Sequence, residues 1–126
     1  MTSTEDPSAL LPLTPAVLHI LLTLSTGEKH GYAIMMEVAA QTDGAVRMGP
    51  GTLYGSVKRM IATGLIEPVK ERPANKNENE NEDERRRYYR LTDFGQRVLE
   101  AEIRRLESIV QLPVARKLLG VERSSG

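Results

Sequence analysis

Across residues 71–84 no side chain is more apolar than those of Pro73 and Ala74, and asparagine alternates with acid from Asn77 to Glu82. Such a stretch cannot bury enough surface to join a core. It divides the 126-residue sequence into a longer and a shorter part that must pack together across it. Its two flanks share β character. Residues 65–70 lose any helical period and carry Leu65, Ile66 and Val69, while residues 85–91 bring Tyr88, Tyr89 and Leu91. Partly β-branched and aromatic segments on either side of a polar run read as two strands joined by a charged hairpin loop. Pro68 assigns the first strand to an edge or a bulge.

Helical patterns fill the remainder. Thr14-Pro15 reads as an N-cap followed by proline at the first helical position, where its missing N–H costs nothing. The helix it opens reaches about Thr26, stops at Gly27, and is apolar on most sides through Val17, Leu18, Ile20, Leu21, Leu22 and Leu24. Such a helix is buried within the domain or against a second subunit. His30-Gly31-Tyr32 opens a second helix of about ten residues, with Tyr32, Met35, Met36 and Ala39 at helical spacing and the methionines read as core filler. A third helix begins at Gly49-Pro50-Gly51-Thr52 and ends at Thr63-Gly64. Leu53, Val57, Met60 and Ile61 make its apolar stripe, with Tyr54, Ser56, Lys58 and Arg59 on the other faces.

Thr92-Asp93 caps a last helix of eighteen or more residues. Val98 or Leu99, Ile103, Leu106 and Val110 recur there at near-heptad spacing between Glu100, Glu102, Arg104, Arg105 and Glu107. That narrow seam resembles a coiled-coil surface more than a broad core face. Pro113 bends or ends it, and residues 116–119 add a short final turn.

Helix, helix, helix, strand, charged loop, strand, helix is the order of a winged helix-turn-helix. The expected fold is therefore mainly α with a small β-hairpin: a winged helix-turn-helix plus a C-terminal dimerisation helix. The expected limits are a flexible arm at 1–12, the winged domain at 13–92, the dimerisation helix at 93–120 and a tail at 121–126. The major groove of B-DNA admits one α-helix, and the second helix of such a unit offers its N-terminal residues to base edges. The third helix would take that place. Gly51 lets its backbone approach phosphate, its free N–H groups favour an anion, and Thr52, Tyr54, Ser56, Lys58 and Arg59 follow along it. Arg85, Arg86 and Arg87 at the base of the hairpin match phosphate oxygens and a narrow minor groove. They can equally neutralise the loop's own acids.

Net charge is zero, but its distribution is uneven. Residues 44–97 hold eleven Lys or Arg against eight Asp or Glu, a net of +3, and five of those acids lie within 78–84. The basic surface is present and locally masked. There is no cysteine, which excludes disulfides and thiolate metal sites. Residues 1–8 lack a basic-plus-apolar signal pattern and no apolar run approaches a membrane span, so a soluble cytoplasmic protein without membrane contact is expected.

An ordered set of motifs then carries a family likeness. Leu13-Thr14 with Ile20-Leu21, His30-Gly31-Tyr32, Gly51-Thr52-Leu53-Tyr54, Gly64-Leu65-Ile66, Arg87-Tyr88-Tyr89-Arg90-Leu91-Thr92 and Gly95 resemble the PadR family over residues 13–120. These are phenolic-acid-type and multidrug-responsive bacterial repressors, and the resemblance is to the short type with a single C-terminal helix. It implies a homodimer whose first and last helices meet across the subunit contact, through Leu18, Leu21, Leu99, Ile103, Leu106 and Val110. It implies repression of a nearby promoter through double-stranded DNA with an inverted-repeat operator, relieved in some members by a small-molecule effector. Gly55 stands where relatives commonly carry proline, and the Asn/Glu-rich wing is unusually long and acidic.

Two other function classes compete. Enzymatic activity finds no support. His19 lies in an apolar helix, His30 suits capping or packing against the wing, and no metal-ligand cluster, phosphate loop or nucleophile elbow is present. No metal and no cofactor is expected. A winged-helix protein–protein interaction module without direct DNA binding is the nearer alternative, kept open by the zero net charge.

Overall fold

The computed structural model describes residues 6–69 and 87–120. Five α-helices and three short strands follow in the order α1 (Pro15–Leu24), β1 (Lys29–His30), α2 (Gly31–Gln41), α3 (Pro50–Ala62), β2 (Ile66–Val69), β3 (Tyr88–Leu91), α4 (Asp93–Val110) and α5 (Pro113–Leu119), with a 3-10 turn at Pro7–Leu10 ahead of them. Side chains start three of the helices. Thr14 Oγ1 accepts from Val17 N at 3.2 Å, His30 Nδ1 from Ala33 N at 3.2 Å, and Thr92 Oγ1 from Gly95 N at 2.9 Å. Each satisfies one of the N–H groups that a helix start leaves open.

One core holds the helices and the sheet together. Ile20, Leu21 and Leu24 of α1 meet Ile34 and Val38 of α2, Leu53, Val57 and Met60 of α3, Leu65, Ile66, Tyr89, and Val98 and Leu99 of α4. Leu21 is fully enclosed and Leu99 is 5% exposed, so both are core residues of their own chain rather than the subunit-contact residues expected from sequence. The first half of α4 thus belongs to the winged domain, and a boundary at residue 92 cuts through its core.

Strand order in the sheet is β1-β3-β2, all antiparallel, with Ile66 opposite Leu91, Pro68 opposite Tyr89 and His30 opposite Tyr88. The hairpin expected from sequence is present in its strands, and its second strand starts later, at Tyr88. β1 adds a third strand that two residues were too short to announce. It explains His30, which caps α2 and sets its ring edge-on to Tyr88, 5.3 Å between centroids at 88°.

Residues 6–12 are not a loose arm. Asp6 caps the 3-10 turn by accepting from Ser8 N at 3.0 Å, and the turn lies along α4 while Leu11 and Leu13 pack onto the core. The segment is fastened by Glu102, 1% exposed, whose Oε2 accepts Leu13 N at 3.0 Å. Arg105 completes that carboxylate from the next turn, with Nε on Oε1 at 2.6 Å and Nη2 on Oε2 at 3.1 Å. The Arg105 hydrogen bond holds the Glu102 carboxyl below its ordinary pKa, burial opposes it, and the Leu13 N–H adds to the lowering.

Beyond Glu102 no residue of α4 or α5 is buried. Ile103, Ile109, Val110, Leu112, Val114, Leu118 and Leu119 are exposed apolar side chains on this distal portion. Leu18 and Leu106 are half-buried. Pro113 starts α5 as a separate helix, earlier and longer than the final turn expected at 116–119, and it ends at left-handed Gly120.

Candidate nucleic-acid interface

The outward face of α3 is built by what the inward face requires. Leu53, Ser56, Val57 and Met60, spaced three, one and three residues apart, are the buried positions. This corrects the stripe read from sequence in two places. Ile61 lies outside it and is exposed, and Ser56 lies inside it, 1% exposed. Ser56 is therefore not a DNA-facing residue. Its hydroxyl accepts a long 3.4 Å contact from Arg59 Nη2.

Tyr54 also turns inward. A Cβ on Gly31 would stand against the Tyr54 hydroxyl and within 2.8 Å of its Cζ, so the ring occupies the space that a side chain at 31 would need. Two motifs far apart in sequence, at 30–32 and 51–54, are thus the halves of one contact that sets α2 against α3. A side chain at 31 would have to push the Tyr54 ring out of this place. A role for Tyr54 on DNA is not supported by this orientation.

A second pair of motifs forms the other joint. Thr92 Oγ1 donates to Gly64 O at 2.5 Å while accepting from Gly95 N, and Thr92 N donates to Leu65 O at 3.1 Å. A Cβ on Gly95 would meet the Leu65 carbonyl and come within 3.2 Å of Leu91 Cδ2. The end of α3 and the start of α4 are locked at this point.

Facing outward on α3 are Gly51, Thr52, Lys58, Arg59 and Ala62, all exposed, with half-buried Gly55 between them. Its N-cap is Gly49, which offers no side-chain hydrogen bond, and Pro50 follows. The first-turn N–H groups of Gly51 and Thr52 therefore meet solvent at the positive end of the helix dipole, with no acid in that turn. An anion is favoured there, and two cations stand one to two turns further along.

Arg87 is exposed just ahead of β3. Arg85, Arg86 and the acids at 78–84 lie outside the described residues. Arg90, on β3, donates from Nε to Glu67 Oε2 at 2.8 Å across the hairpin, and this bond raises the Arg90 pKa. Among the described residues no cluster of three or more His, Asp or Glu could hold a metal ion, and no helix is long and apolar enough to cross a membrane.

Sequence reasoning missed Glu102, treating it as one of the solvated charges between seam positions. A signal existed: residues 95, 99, 102 and 106 follow the same four-three-four spacing as a seam, with a carboxylate in its middle.

Three helices, the last of them carrying an open N-terminus and two exposed cations, followed by a hairpin that feeds a long helix, define a winged helix-turn-helix protein. Residues 18–101 match the model of the transcriptional regulator PadR-like family, and the chain belongs to that family. It is 34% identical over 87 residues to an uncharacterised 37.1 kDa protein in transposon TN4556 of Streptomyces fradiae; the match takes in 69% of this chain and spans 21% of the length of that relative. Among solved structures, a complex of H. salinarum RosR, RosR-S4, is similar with a TM-score of 0.65 at 20% identity, covering 91% of this chain and 90% of that one. Bacillus subtilis PadR in complex with operator DNA is similar with a TM-score of 0.60 at 22% identity, covering 73% of this chain and 48% of that one. At such identities the structural likeness is one of fold.

Proposed function

We infer that this transcriptional regulator acts as a homodimeric repressor, seating α3 in the major groove of an inverted-repeat operator near the promoter it controls. The observation that carries the reading is the outward face of α3. It joins an uncapped N-terminus at Gly51 and Thr52, suited to a phosphate, to Lys58 and Arg59. Arg87, at the base of the hairpin, stands where a wing reaches the flanking backbone. The fold likeness to a PadR solved with operator DNA supports the same placement. The exposed apolar side chains of distal α4 and α5 supply a surface for a second copy, and a two-fold pair predicts half-sites about 10 base pairs apart.

The test is an operator titration at two salt concentrations. Wild-type protein is expected to lose affinity steeply as salt rises, since each neutralised phosphate releases counterions. Lys58→Ala with Arg59→Ala should weaken binding about a hundredfold and flatten the salt slope, with the dimer intact. Promoter DNA bound weakly and without salt dependence would instead favour a winged-helix module that docks protein.

A further inference from the structure

Most glycines of the described residues answer to a local demand. Gly27, Gly44, Gly64 and Gly120 have positive φ, and Gly31 and Gly95 have other groups where a Cβ would stand. Gly49 is an N-cap, a place that suits glycine, and Gly51 lies in the first turn. Gly55 meets none of these conditions. It sits inside a 13-residue helix, its φ is not in the left-handed region, and, its own helix backbone and chain neighbours aside, the one atom of the described residues within 4 Å of its Cβ position is Arg59 Nη1 at 3.8 Å, an ordinary van der Waals distance.

Glycine in a helix interior is markedly less favourable than alanine. A residue that weakens its helix without serving the packing around it points to a demand from outside, the close approach of another molecule. Its angular position says where. At about 100° per residue, positions 58, 51, 62, 55, 59 and 52 succeed one another around α3, which puts Gly55 in the middle of the outward face. The buried positions Leu53, Ser56, Val57 and Met60 lie opposite.

We propose that Gly55 is where α3 comes closest to the floor of the major groove, and that its missing side chain determines which base pair is accepted beneath it. This rests on the DNA-binding reading above. The guanidinium of Arg59 lies beside that gap, Nη1 near Gly55 and Nη2 3.4 Å from Ser56 Oγ. From there its fork can meet a guanine edge, the pairing that arginine geometry favours. A methyl at 55 stands between helix and base edge and lifts the fork away from the floor.

The experiment takes the full chain, lets wild type select a duplex from a random-sequence pool, and compares Gly55→Ala and Gly55→Leu on that duplex and on an unrelated one. Gly55→Ala is expected to melt about 4 °C higher, as a better helix former. It should bind the selected duplex at least tenfold more weakly, with the unrelated duplex unchanged. Gly55→Leu should lose the discrimination altogether, and selection repeated with Gly55→Ala should recover a different base at one position of each half-site. A Gly55→Ala protein that keeps wild-type affinity and selects the same sequence overturns the proposal, and the DNA-binding reading then stands or falls on Lys58 and Arg59. A variant that melts lower than wild type reveals an internal need for glycine and overturns it too. Wild type that selects no sequence overturns both.

Discussion

The two halves of α4 are alike in sequence and opposite in situation. Residues 93–102 and 103–110 both place apolar side chains at helical spacing among charges. In the first half Val98, Leu99 and Glu102 are buried against α1 and the sheet; in the second, Ile103, Ile109 and Val110 are exposed. The contrast arises because the winged domain ends alongside Glu102 while the helix continues. Periodicity tells that a helix has an apolar face. It does not tell what covers that face.

The sharpest way to break the comparison is a charge on each side of Glu102. Leu99→Asp puts an unpaired carboxylate into the core and should cost more than about 4 kcal/mol, leaving little folded protein by circular dichroism. Ile109→Asp with Val110→Asp should leave the spectrum and its cooperative melt nearly unchanged. Sedimentation velocity should show a monomer, and operator affinity should fall about a hundredfold as the two half-sites cease to be bound by one linked unit. If that pair of substitutions leaves a dimer, the distal half is not the subunit contact.

The junction itself carries the smallest expected effect. Glu102→Ala strands the half-buried Leu13 N–H and should cost about 2 kcal/mol near neutral pH, read from a denaturant titration. The sign of its pH dependence follows from the lowered carboxyl pKa. A group whose pKa is lower in the folded state stabilises fully above its unfolded value, about 4.3 for glutamate. That contribution disappears as pH falls through the folded value. Wild type should therefore lose stability more steeply in acid than Glu102→Ala, and parallel acid limbs for the two proteins would contradict the role given to this carboxylate.

What was legible in the sequence was local. Thr14, Thr92 and the glycine stops announced their helices because caps act within one turn, and the hairpin strands were announced by what flanks a run without apolar residues. Gly51, Thr52, Lys58 and Arg59 lie on the outward face of α3, as their spacing requires once Leu53 and Met60 are inside. The rest depended on partners distant in sequence. β1 exists because His30 meets Tyr88, residues 6–12 dock because Glu102 takes the Leu13 N–H, and Tyr54 turns inward because residue 31 has no side chain. Ser56 was misplaced for a different reason. A small hydroxyl is read as solvent-facing by type, whereas its position, three beyond Leu53 and four before Met60, puts it inside.

Thr92 shows how such a partner narrows what a position can become. Aspartate is as good a helix N-cap as threonine, and a cap is all that α4 asks of residue 92. The Gly64 carbonyl asks for something else, a hydrogen from the same side chain. An ionised carboxylate has none to give. Among substitutions that preserve the helix start, serine keeps both bonds and aspartate forfeits one, so the tolerated alphabet at residue 92 is written by the end of α3 rather than by the helix it begins.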